Sequence, residues 1–142
     1  MSAFALAAYR SATIETISQR DLIVRMFAGA ESLMVRAGSA MEGQRIEEAH
    51  NCCRRARDIF CELLSTLNMP AGGEVAVQLY NLYLCLITRI TEANLRKQAS
   101  LIGELVPIVR TLREGWEQVP DEFANTTAVP GSPSGHSFSL NS

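Results

Sequence analysis

Charge of one sign never accumulates in this chain. Its 13 Lys and Arg are set against 15 Asp and Glu, a net charge of −2. No basic run is dense enough to track a phosphate backbone, so no nucleic-acid partner is expected. Arg54, Arg55 and Arg57 alternate with acids on their own helix and read as a solvated face. Histidine is scarce, with only His50 and His136, and the 4 cysteines show no CxxC spacing. A zinc site wants four ligands at recognisable intervals. Cys52, Cys53, Cys61 and Cys85 all fall inside helical patterns, and the adjacent pair points in directions about 100° apart. They read as buried, reduced thiols behaving as small hydrophobes rather than as a disulfide framework.

A long apolar run is missing too. The stretch from Val75 to Ile87 is interrupted by Gln78 and Asn81 and falls short of the roughly 20 residues a bilayer requires. The start, MSAFALAAYR, lacks a basic n-region and its apolar run is short. Neither membrane insertion nor secretion is expected, and the protein reads as cytoplasmic. Catalytic constellations are absent: there is no Ser/His/Asp or Cys/His arrangement, and the Gly72-Gly73 pair lacks the lysine of a P-loop. Glu47 precedes His50 with Glu-x-x-His spacing, but no second helix repeats it as a di-iron bundle would. No enzyme activity, metal or cofactor is expected.

What the chain does have is 142 residues, 47% hydrophobic and 20% charged, enough for one domain with a real core. Four helical patterns follow one another with no strand-like alternation. The first opens at Ser18, an N-cap with Asp21 three residues on, and its apolar positions are Leu22, Ile23, Met26, Phe27, Ala30, Leu33, Met34 and Ala37. Gly38 and Gly43 are expected to bracket the first turn. The second places Ile46, Ala49, Cys53, Ala56, Phe60, Leu63 and Leu67 at steps of three and four, a bundle seam. It is expected to stop at Asn68, with Pro70 and Gly72-Gly73 forming the next turn. The third ends near Arg96-Lys97. The fourth carries Ile102, Leu105, Val109, Leu112, Trp116 and Val119, with a kink expected at Pro107 and a short hinge at Ala99-Ser100. Residues 18–119 should therefore form an all-α, antiparallel up-down-up-down four-helix bundle. Residues 1–17, with Phe4, Leu6, Tyr9 and Ile14, are apolar enough to cap it. Residues 120–142, rich in Ser, Pro, Gly and Asn, are expected to be a disordered tail.

The third helix carries a surplus. Val75, Leu79, Leu82, Leu86, Ile90 and Ala93 share one face, and Ala76, Val77, Tyr80, Leu84 and Ile87 continue round the cylinder. Together they cover about 220°, against the roughly 100° stripe of an ordinary core-facing helix. One face builds a core; the other needs a cover, either neighbouring elements of a centrally placed helix or a partner.

Three stretches together resemble a known family. Thr16-Ile17-Ser18, Leu22-Ile23 and Phe27-Ala28-Gly29-Ala30 resemble the opening signature of the flagellin export chaperones, the FliS family. Gly72-Gly73-Glu74, Leu79, Leu82-Tyr83, Arg89 and Glu92-Ala93-Asn94 resemble its third helix, and Leu112-Arg113-Glu114-Gly115-Trp116 its close. The likeness runs in order from Tyr9 to Gln118. Gln19 stands where that family usually has proline, Phe27 replaces tyrosine, Ala28 aspartate, and Leu84-Cys85 an aspartate-aromatic pair.

The resemblance implies a binding protein that holds the C-terminal segment of flagellin, blocks its premature polymerisation and delivers it to the flagellar export gate. On that reading Val77, Tyr80, Leu84 and Ile87 floor a client groove, Arg89 and Asn94 sit at its edge, and Tyr9 covers part of it until the client arrives. Tyr83 and Trp116 read as core. The alternatives are a type III export chaperone for another cargo, a bare dimerisation module, or a phosphotransfer bundle using His50. The last fits poorly, because such modules follow the histidine with a small residue, lysine and glycine, whereas Asn51-Cys52-Cys53-Arg54 stand here.

Overall fold

A computed structural model describes residues 18–122. Four α-helices make it up: α1 (Gln19–Glu42), α2 (Ile46–Ser65), α3 (Met69–Arg96) and α4 (Ala99–Glu117). α1 packs most extensively on α2 and α4, while α3 packs on α2 and less closely on α4. Contacts step backward along one neighbour as they step forward along the other. On α2 and α3, Phe60 meets Tyr83 and His50 meets Asn94. On α1 and α4, Glu31 reaches Arg110, and Arg20 reaches Val119 just past the end of α4. Each such pair is antiparallel, and the described residues form the all-α four-helix bundle that the periodicity anticipated. The expected N-terminal cap at 1–17 lies outside the described residues, as does the expected tail beyond Glu122.

The core is the sum of the buried stripes. α1 supplies Ile23, Phe27, Ala30, Leu33, Met34, Ala37, Ala40 and Met41, and α2 supplies Ala49, Cys52, Cys53, Ala56, Phe60 and Leu63. α4 adds Ile102, Leu105, Val109 and Trp116. At the centre Phe27, Phe60 and Tyr83 form a triangle of tilted rings with centroids 6.2–6.4 Å apart, a geometry that satisfies the ring quadrupoles. Tyr83 and Trp116 are core, as expected.

Several boundaries differ from expectation, each for a local reason. Gly38 lies inside α1, facing Ile102 of α4, and Gly43 alone caps the helix. α2 ends at Ser65, and Asn68 instead caps α3, its side chain accepting from the Ala71 amide at 3.1 Å. Pro70 then fits the first turn of α3, where a missing N–H costs nothing. The glycine pair falls within α3: Gly73, at φ 59° and ψ −137°, breaks the helix into a short opening turn and a long body. Ala99 and Ser100 are the first residues of α4 rather than a hinge; the turn is made by Lys97, in the left-handed region, and Gln98. α4 runs on through Pro107 to Glu117. Ile46 is exposed, being the first residue of α2 and one turn short of the core. Cys61 and Cys85 are exposed as well, so only Cys52 and Cys53 behave as buried hydrophobes.

Candidate functional site

α3 is the one element whose two apolar faces require separate explanations. The buried face runs Ala76, Tyr83, Leu86, Ile90 and Ala93, with Leu79 and Leu82 partly buried against it. Val75, assigned by its spacing to that face, is exposed, because the break at Gly73 places it at the start of the helix body. Ala76 takes the core position instead.

Around the cylinder, Val77, Tyr80 and Leu84 remain 46%, 39% and 40% exposed. Steps of three and four put them on one line along the helix surface. Ile87, one step further, is partly buried against the core and closes the stripe on the α2 side. Leu95, 81% exposed, lies about five turns beyond Val77 on the same line. Continuing the same angular count past Ala93 finds it, so the signal was present in the spacing.

The two polar residues expected at the groove edge flank the stripe on opposite sides. Arg89 turns toward α4, its Nη2 lying 3.4 Å from Glu104 Oε1. Asn94 turns toward α2, its Nδ2 donating to His50 Nδ1 at 3.1 Å. The ammonium of Lys97 donates to the Asn94 carbonyl at 2.7 Å and closes the end of α3. Asn94 Oδ1 is buried without a hydrogen-bond partner among the described residues. Tyr9 lies outside the described residues.

His50 is exposed and engaged by Asn94, on the surface of α2. Cys53 beside it is held as a thiol: burial pushes its pKa up to about 11, although the Lys97 charge pulls the other way. No group of three or more His, Cys, Asp or Glu among the described residues is placed to hold a metal ion. No described helix is long and apolar enough to cross a membrane.

Two further shallow depressions flank α4. One, of about 470 Å³, lies between α1 and α4 over Gly38, Ile102, Gly103 and Pro107. The other, of about 340 Å³, lies between α3 and α4 over Leu82, Ile108 and Leu112. Sequence spacing gave no sign of either, since both depend on how the helices are set side by side.

On the α1 side of the bundle the surface is fixed by charge instead. Glu31 Oε2 accepts from Arg110 at 2.8 Å and Oε1 from Arg113 at 3.1 Å; Arg113 also reaches Glu117 at 3.2 Å. Partial burial pushes the Glu31 carboxyl up, but the hydrogen bonds and charges of the two arginines outweigh it and hold the group below the ordinary carboxylate range. The arginine, acid and tryptophan close of the sequence thus has structural work: Arg113 ties α4 to α1, and Trp116 fills the core between them.

A helical bundle with a bare apolar stripe is a common object, and sequence comparison gives it a context. The family described as flagellar protein FliS matches residues 1–122. The flagellar secretion chaperone FliS of Vibrio cholerae is 28% identical, over 87% of this chain and 94% of its own length. That of Campylobacter jejuni is 33% identical, over 72% of this chain and 80% of its own. That of Salmonella typhimurium is 31% identical, over 83% and 91%. With all four described helices inside the matched span, this chain belongs to the FliS family of flagellar secretion chaperones.

Proposed function

We propose that this protein binds the C-terminal segment of flagellin in the cytoplasm, keeps it from polymerising and presents it to the flagellar export gate. The observation that carries the reading is the line Val77, Tyr80 and Leu84, left bare on a helix whose other face packs into the core. An amphipathic, unfolded client lays its apolar residues on such a stripe and folds as it does so. Each large aliphatic anchor buried contributes roughly 1.5–3 kcal/mol, offset by the cost of ordering the client. Covering those residues prevents their use in filament packing, so protection needs neither ATP nor a cofactor.

Leu84-Cys85 stands where the family often has an aspartate-aromatic pair, and Leu84 there extends the apolar line and tunes which client sequence fits. Tyr9 and its neighbours are assigned the role of a displaceable cover for the same line. The test is calorimetry of the full chain with the host's flagellin, intact and lacking its C-terminal segment. Binding to the first and none to the second is the expected outcome. Equal binding to both would sink the assignment of the client segment, and binding to neither would sink the client.

A further inference from the structure

α2 and α3 lie antiparallel, and each sets a ridge beside their shared seam. Steps of three and four on α2 run His50, Arg54, Arg57, Cys61 and Leu64; on α3 they run Tyr80, Leu84, Ile87, Thr91 and Asn94. The His50–Asn94 hydrogen bond fixes one end of the register and the Phe60–Tyr83 ring contact fixes it further along. The seam therefore has polarity. Its apolar half is Leu64, Tyr80, Leu84 and Ile87. Its other half is cationic: Arg54 and Arg57 line a small recess with Thr91 and Asn94.

The charge of the two guanidiniums is only partly answered within the described residues. Arg54 has no ion-pair partner among the described residues, and Arg57 reaches only its neighbour Asp58 at 3.4 Å. Thr91 spends its hydroxyl on the Ile87 carbonyl at 2.8 Å, and none of the α3 ridge residues carries a carboxylate. An arginine pair one turn apart on a helix presents planar donors that match a carboxylate.

We infer that the client segment seated on the α3 stripe carries a carboxylate one or two helical turns from its apolar anchors, and that Arg54 and Arg57 receive it. The occupant is thus an acidic amphipathic helix in one direction only, with its apolar face over Tyr80 and Leu84 and its acid toward Asn94. Charge complementarity sets the direction, because reversing the helix puts the acid on the apolar half and leaves Arg54 without a partner and Arg57 with Asp58 alone. This rests on the flagellin reading above.

The experiment is calorimetry of the full chain with the C-terminal segment of the host's flagellin, at about 0.05 and 0.5 M salt. Three variants are compared: Arg54→Gln/Arg57→Gln, Arg54→Lys/Arg57→Lys and Leu84→Asp. The glutamine pair should weaken binding about five- to tenfold at low salt, with the gap closing at high salt. The lysine pair should retain most of the affinity, and Leu84→Asp should lose binding at both salts. If the glutamine pair binds like the unaltered chain with the same salt dependence while Leu84→Asp still fails, the acidic anchor is wrong and the flagellin reading stands. If the unaltered chain does not bind the segment, both fall together.

Discussion

The phenol of Tyr83 is fully buried between Phe27 and Phe60, and its hydroxyl has no hydrogen-bond partner among the described residues. A buried, unanswered hydroxyl costs about 1–3 kcal/mol of desolvation. Tyr83→Phe removes that cost without changing ring packing, and should raise the urea midpoint by an amount equivalent to about 1 kcal/mol. A lowered midpoint would show that the hydroxyl has a partner, such as a buried water. Burial also pushes the Tyr83 hydroxyl pKa up and the Cys53 thiol pKa to about 11. Both groups are neutral in the fold and ionise more readily when it opens, so their contribution is complete below the unfolded pKa and is lost as pH rises through the folded one. Stability should decline from about pH 9 upward. Thiol labelling reads the same burial more directly. At pH 8 native protein should expose Cys61 and Cys85 to a bulky reagent, with Cys52 and Cys53 reacting only after denaturation.

At the scale of the helix, periodicity served well where side chains alone decide and failed where backbone geometry decides. The apolar steps of α2 and α4 named most of the residues that proved buried. The Gly72-Gly73 pair was legible as a break but not as one inside a helix, because Asn68 and Pro70 start α3 a turn earlier. Gly73 has φ 59° and ψ −137°, and a Cβ there would meet nothing within 4 Å. The cost of Gly73→Ala is therefore purely conformational, about 1–3 kcal/mol, and thermal unfolding should show it with the helix content unchanged. The same substitution at Gly103, also open but in regular helix, should stabilise α4 by up to about 1 kcal/mol. Between helices the Glu31 clamp makes a further prediction. Its carboxyl is held below the ordinary range, so its contribution is present above the unfolded pKa and lost as pH falls through the folded one. Glu31→Gln should cost about 1.5–3 kcal/mol at neutral pH, and the difference from the unaltered chain should shrink below about pH 4.

For the whole molecule, the question is whether folding and binding draw on different residues of one helix. Angular counting over α3 separated two apolar faces, and the bundle uses one of them. α2 and α4 cover only the Tyr83–Leu86–Ile90 side, leaving Val77, Tyr80 and Leu84 to solvent. What counting did not supply was the flank: that Asn94 faces α2 and Arg89 faces α4 depends on the placement of neighbours. Leu84 and Leu86 make the separation testable, being two residues apart, chemically identical, and 40% and 1% exposed. An aspartate at 86 buries an uncompensated charge, about 4 kcal/mol or more against a total of about 5–15, so Leu86→Asp should unfold much of the protein. An aspartate at 84 meets water, so Leu84→Asp should hold the denaturation midpoint within about 0.5 kcal/mol of the parent. Circular dichroism and urea titration check the folding half; calorimetry with flagellin checks the binding half. Loss of binding by folded Leu84→Asp ties the client to the bare stripe, whereas full binding would leave α3 as a helix with a surplus that the client does not use.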